Sequence, residues 1–336
     1  MKSLRFAFVQ IFVCTAIIAS AQCPFQYISN DTVFQVYIEF IFPTKNVNEI
    51  TSTGTRVNRG IINDSVFNTP VFQIFDDCGN ILNQTIYKYV GNFRLIHKSI
   101  PTHRSYKNEP IGNTTIKVKD DEFLLVDRAY DISSNEFQMI LFKIDDTGVI
   151  NSYNTTALNI NEINQTTVKH VLLLKDNKIL VIVWDNAEQY TFYYFDKNLN
   201  YLLKKSLSLV RGIRAIKEAD NGEFICTSLV NDNSAFQFYR FDTTGEIKWM
   251  VSPYNNSGSA REILIENNKL YITGSAGAFG VFLICDMEGS IIKEFKYDTF
   301  FCEPRFCSAH LGSDSTYTIG GYIKHCDVAD KKEVLI

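Results

Sequence analysis

One short pattern recurs along this 336-residue chain and restricts it to few folds: an apolar run, then Asp, two residues, Gly, one residue and Ile. The copies are Phe75-Asp76-Asp77-Cys78-Gly79-Asn80-Ile81, Ile144-Asp145-Asp146-Thr147-Gly148-Val149-Ile150, Phe241-Asp242-Thr243-Thr244-Gly245-Glu246-Ile247 and Cys285-Asp286-Met287-Glu288-Gly289-Ser290-Ile291. The segment Phe195-Asp196-Lys197-Asn198-Leu199-Asn200 reads as a variant with one extra residue and Asn200 in the place of Gly. Cys326-Asp327-Val328-Ala329-Asp330 reads as a degraded last copy. Hairpin chemistry explains the pattern. The Asp carboxylate accepts backbone amides two residues on, Gly takes the positive φ of a tight turn, and Ile restarts the partner strand.

The turn aspartates Asp76, Asp145, Asp196, Asp242, Asp286 and Asp327 are separated by 69, 51, 46, 44 and 41 residues. Most of these spacings match the 40–50-residue period of a four-stranded propeller blade. Apolar runs such as Phe123–Val126, Ile179–Val183, Phe224–Thr227 and Leu270–Thr273 precede the later turns, each after a polar turn of its own. Near-continuous runs of this kind suit strands buried on both faces. The expected fold is therefore all-β, a β-propeller of six or seven four-stranded blades occupying 22–336 as one domain. The long first gap predicts an insertion near 91–113. Residues 24–70 fit the repeat poorly and are expected to hold the first blade, plus a strand that closes the C-terminal blade.

Phe241-Asp242-Thr243-Thr244-Gly245-Glu246-Ile247-Lys248-Trp249 resembles the outer-strand signature of quinoprotein-like (PQQ-like) propeller repeats, Asp-x-x-Thr-Gly-x-x-x-Trp. The series over roughly 71–336 is similar to the degenerate repeats of exported Bacteroidetes proteins. The resemblance implies a fold and not an activity. Trp249 is the only Trp at that position, and the adjacent Cys–Cys pair of the cofactor-binding dehydrogenases is missing, so no cofactor is expected.

The N-terminus reads as an export signal. Lys2 and Arg5 precede an apolar stretch from Phe6 to Ala19, and Ala19-Ser20-Ala21 offers a small-x-small cleavage site after Ala21. The apolar run falls short of the roughly 20 residues that span a bilayer. A secreted or cell-envelope location is expected, without stable membrane insertion after cleavage. Loss of Lys2 and Arg5 moves the net charge from −4 to −6, a mild and dispersed value that argues against nucleic acid as partner. The 26 Phe and 17 Tyr favour strands over helices.

After cleavage seven cysteines remain, an odd number spread too thinly for a disulfide scaffold. Cys302 and Cys307 are the candidate disulfide, closing a local loop. With His310, His325 and Cys326 they would also offer metal donors, but the spacing matches no standard structural zinc site, and no metal is expected. Cys226 and Cys285 sit in apolar runs and read as small core residues. Seven Asn-x-Ser/Thr sequons, Asn83 and Asn154 among them, read as exposed turns.

For catalysis the sequence offers little. The repeated aspartates are structural by position, because general acid–base work needs two carboxylates converging on one substrate. No nucleophile elbow, phosphate loop, His-Glu-x-x-His or calcium loop is present. The insertion carries Arg94, His97, Lys98, His103, Arg104 and Lys107, a solvated basic loop or a lip for an acidic glycan. The expected function is a binding or scaffold module for a macromolecule or glycan. The alternative is a glycan-active hydrolase or lyase with its site at the channel mouth.

Overall fold

The Asp-x-x-Gly turns join the third and fourth strands of successive antiparallel sheets. The computed structural model describes residues 34–43, 49–58, 69–76, 80–95, 114–119, 121–157, 167–184, 190–207, 212–229, 236–254, 258–298, 302–311, 317–325 and 332–335. The expected signal segment 1–21, Gly79, Asp327 and residues 96–113 of the insertion lie outside the described residues.

The first sheet runs β1 (Phe34–Pro43), β2 (Glu49–Asn58), β3 (Thr69–Asp76) and β4 (Ile81–Ile86) in chain order. The second holds β5 (Tyr89–Val90), β6 (Phe93–Leu95), β7 (Thr115–Lys119), β8 (Glu122–Asp131), β9 (Glu136–Asp145) and β10 (Ile150–Ala157). The third is β11 (Thr167–Leu173), β12 (Ile179–Trp184), β13 (Tyr190–Phe195) and β14 (Tyr201–Leu207). The fourth is β15 (Gly212–Glu218), β16 (Phe224–Leu229), β17 (Phe238–Phe241) and β18 (Ile247–Val251). The fifth is β19 (Ser259–Glu266), β20 (Lys269–Ala276), β21 (Phe279–Cys285) and β22 (Ile291–Asp298). A last sheet has three strands among the described residues, β23 (Cys302–Leu311), β24 (Tyr317–His325) and β25 (Lys332–Leu335).

The fold is all-β, a β-propeller of five blades, each blade a sheet of four strands or more. The expectation of six or seven blades is corrected by register. Asp76, Asp145, Asp196, Asp242 and Asp286 each close or directly follow the strand that pairs with the outermost one, β3, β9, β13, β17 and β21, whereas in sequence Asp327 falls between β24 and β25, the second and third strands of the last sheet. The series of equivalent turns among the described residues therefore counts five. The long first gap adds no blade either. Its hairpin β5–β6 joins the edge of β8 beside β7, with Phe93 opposite Asp131 and Thr115 opposite Leu125.

The described residues divide into two compact units, one ending at Ser208 and one beginning at Leu209. In the first, alternation along β8 serves two cores. Phe123 and Leu125 pack with Phe72, Ile74 and Tyr87 of the first blade, while Leu124 and Val126 pack with Val168, Val181 and Phe195 of the third. A strand wedged between two blades has no polar face to offer, which is why its sequence is an unbroken apolar run. The second unit repeats the scheme: Leu270 and Ile272 join the core with Ile225 and Phe238, and Tyr271 packs toward Phe306. Burial orients each sheet. Strand β22 is exposed throughout and β14 nearly so, whereas β15 is mostly buried, so the first strand lies inside and the fourth outside.

In the described turns the amide three residues after Asp donates to the Asp carbonyl: Gly148 at 3.1 Å, Leu199 at 3.0 Å, Gly245 at 3.0 Å and Gly289 at 3.2 Å. The same residues carry positive φ, +85°, +69°, +90° and +84°. The Asp196 turn therefore has no extra residue. Leu199, not Asn200, holds the glycine position, and Asn200 instead donates to the Asp196 carboxylate through its backbone and side-chain nitrogens at 2.9 Å each.

The turns also lock blade to blade. A Cβ on Gly148 would lie 2.7 Å from Phe72 Cδ1 and 3.0 Å from Thr85 Oγ1. The Gly148 carbonyl accepts from Tyr87 Oη at 2.7 Å, and Asn83 Nδ2 donates to the Thr147 carbonyl at 3.0 Å. One blade later Asn154 Nδ2 donates to the Leu199 carbonyl at 2.8 Å. These two sequon asparagines are thus inter-blade clamps, Asn154 being half-buried. In the second unit Trp249 and Val251 press on Gly289, and Arg240 Nη1 reaches the Met287 carbonyl at 3.3 Å. Trp249, the residue of the quinoprotein-type signature, stands edge-on to Phe238 at 6.0 Å.

Candidate functional site

The described turn carboxylates accept hydrogen bonds from their own turns. Asp145 Oδ1 accepts from Thr147 N at 2.9 Å, Thr147 Oγ1 at 2.7 Å and Val149 N at 2.9 Å. Asp242 Oδ1 repeats this with Thr244 and Glu246, and its Oδ2 meets Lys248 Nζ at 2.9 Å. Asp286 accepts from Glu288 N and Ser290 N, and Asp76 from both nitrogens of Asn80. The side chains of Thr244 and Lys248 hold the Asp242 carboxyl below the usual carboxylate range, and that of Asn200 does the same for Asp196. At Asp145 burial pushes upward, but the bonds from Thr147 and Val149 outweigh it.

A depressed folded-state pKa stabilises above the unfolded value, about 4 for Asp, and that contribution disappears as pH falls through the folded one. The urea midpoint is accordingly expected to hold from neutrality to about pH 4 and to drop below it. Asp242→Asn should flatten that drop for the unit beginning at Leu209. A midpoint in the wild type that stays level down to pH 2.5 would show that the turns carry no such linkage.

A second repeated feature lies on the first strands. Five of them have one bulged residue four or five pairs from the hairpin that follows, Glu39 in β1, Lys169 in β11, Arg214 in β15, Arg261 in β19 and Cys307 in β23, whereas the bulge of β7, at Val118, lies one pair from its hairpin. A bulge turns one side chain out of the alternating pattern and leaves a ladder amide to be satisfied elsewhere. At Arg214 the freed amide of Ala215 donates to Thr227 Oγ1 at 3.0 Å, from the strand alongside. In the unit ending at Ser208, Lys169 lies over the Trp184 ring at 4.9 Å.

In the other unit two successive bulges present arginines. Arg214, 8% exposed, donates through Nη1 to Ser259 Oγ, at the start of the next blade. Arg261 follows two residues along that strand. Its Nε is buried and has no hydrogen-bond partner among the described residues, and the hydroxyl of Thr273, opposite the same bulge, is in the same state. Backbone crowding fixes Ser259: a Cβ on Gly258 would collide with the Ser275 carbonyl oxygen, and one on Gly274 with the Ser259 carbonyl oxygen. Glu262, next along, has its carboxyl pushed up by burial, with Lys217 of the preceding blade pulling it down.

This row was not singled out from sequence. A signal existed: a basic residue stands six or seven positions before the polar turn that opens the second strand, Lys169 before Asp176, Arg214 before Asp220 and Arg261 before Asn267. Of the basic insertion residues only Arg94 is described, exposed on β6; His97, Lys98, His103, Arg104 and Lys107 lie outside the described residues. The expected Cys302–Cys307 disulfide is not shown. Both residues belong to the single strand β23. Five residues of strand span about 16 Å, far beyond the roughly 4.4–6.8 Å between Cα atoms that a disulfide bridges. Cys226 and Cys285 are free and buried in the core, as their apolar context implied, and burial pushes the Cys285 thiol up to about 12.

No known family profile matches the chain, and no curated protein matches it. Among solved structures it is similar to a mutant of NanB sialidase from Streptococcus pneumoniae, at 10% identity over 93% of this chain and 69% of that one, with a TM-score of 0.56. A protein of unknown function from Bacteroides caccae aligns at 12% identity over 75% of this chain and 78% of the other, TM-score 0.45. Trypanosoma rangeli sialidase aligns at 11% identity over 89% and 53%, TM-score 0.46. At such identities the likeness extends to the fold and not to an activity.

Proposed function

We propose that this chain is an exported β-propeller that binds a macromolecule or glycan through the bulged residues of its first strands, and that it acts as a binding or scaffold module. The observation that carries this reading is the Arg214–Ser259–Arg261 row. Five turn aspartates do the same structural work at the same register, whereas the bulged residues range from Lys169 to Arg214 and Arg261 and include a buried donor without an acceptor among the described residues. Residues that vary on a constant frame are where a propeller places recognition. Export rests on the segment from Lys2 to Ala21. Quinoprotein-like ancestry of the repeat belongs to the same reading, supported by Trp249 after the Asp242 turn.

The test is an array of soluble polysaccharides and envelope glycans, with product analysis of every retained sample. Retention without change in chain length is the expected result. Shortened or unsaturated products would overturn the binding-module reading in favour of a glycan-active hydrolase or lyase.

A further inference from the structure

We infer that Arg214, Ser259 and Arg261 form a subsite for a carboxylate, so that the ligand is an acidic sugar polymer or another monoanionic acid. The inference rests on the binding reading above and narrows it to one chemistry. A guanidinium taken out of water demands acceptors, and a buried donor without one is a standing cost. Arg261 Nε is such a donor. Arg214 Nη1 donates to Ser259 Oγ, and Ser259 stands two residues before Arg261 on the same strand. Ser259, having accepted from Arg214, keeps its own hydroxyl proton to donate. Two planar cationic forks and a hydroxyl donor on adjacent first strands suit a planar anion with two oxygens.

Charge selects carboxylate over phosphate. Glu262 directly follows Arg261 and faces Lys217, and the chain is net acidic. A dianion would meet more repulsion here than a monoanion. Close backbone packing at Gly258 and Gly274 sets the position of Ser259 against the strand beside it.

Isothermal titration of the whole protein with oligogalacturonate, its neutral galactose counterpart and inorganic phosphate tests the assignment. The uronate is expected to bind at least tenfold more tightly than the neutral oligomer, and less tightly as salt rises. Arg261→Gln should weaken uronate binding roughly tenfold or more while leaving circular dichroism and thermal midpoint unchanged, and Arg261→Lys should fall between. Arg261 is the better probe because Arg214 is the more deeply buried. Equal binding of uronate and neutral oligomer, an Arg261→Gln protein that binds uronate as the wild type does, or phosphate binding as tight as uronate would each overturn the carboxylate subsite. Retention of neutral glycans alone on the array would sink this inference and leave the binding-module reading standing, whereas cleavage would sink that reading itself.

Discussion

Alanine at Gly148 is expected to destabilise the unit ending at Ser208 by about 3 kcal/mol, the sum of a left-handed backbone and an overpacked interface. Position 148 has φ +85°, where a Cβ meets the following carbonyl, about 1–2 kcal/mol on its own. The added methyl would also lie 2.7 Å from Phe72, which is completely buried and packed on Phe123 at 5.8 Å, so the ring has nowhere to go. Gly289 shares the backbone conformation, but its neighbours Trp249 and Val251 are only half-buried and can yield. Gly289→Ala should therefore cost about 2 kcal/mol. Gly277 supplies the control, with φ +57° and nothing within 4 Å of a Cβ. Its substitution should cost about 1 kcal/mol, the backbone part alone. Urea denaturation of the three variants gives the ordering, and equal losses at 148 and 277 would show that the inter-blade contact is energetically idle.

What was legible in the sequence followed from local stereochemistry. The Asp–Gly turns are written in residues that have few substitutes, and apolar runs such as Ile179–Val183 announce strands covered on both sides. The expectation of six or seven blades counts Asp327 by residue type. Only the strand register shows that it follows a second strand and not a third. Cys302 and Cys307, close in sequence, stand on one extended strand where a loop would have joined them. The arginine row is marked in the sequence only by a basic residue six or seven positions before a polar turn, a spacing that does not by itself announce a bulge. Its position is set by pairing with a neighbouring strand, and Arg214 and Arg261 become equivalent only once Ala215 is seen opposite Thr227 and Glu262 opposite Thr273.

The Asp196 turn shows tertiary packing overriding a local rule, and magnitudes decide what its variants should do. Leu199 takes the backbone conformation that glycine takes in the other turns, with φ +69°, at about 1–2 kcal/mol of strain. In return its side chain, 1% exposed, enters the core between the second and third blades, with Leu141, Val181 and Phe195. Removing a buried leucine side chain typically costs about 2–5 kcal/mol, which exceeds the strain. Leu199→Ala keeps the strain and loses the packing, so it should destabilise by about 3–4 kcal/mol. Leu199→Gly relieves the backbone and should recover about 1 kcal/mol of that loss while remaining less stable than the wild type. The expected order of urea midpoints is wild type, then Leu199→Gly, then Leu199→Ala. A glycine variant as stable as the wild type would mean that the leucine is tolerated at this turn and not required, and that this blade interface is held by its strands alone.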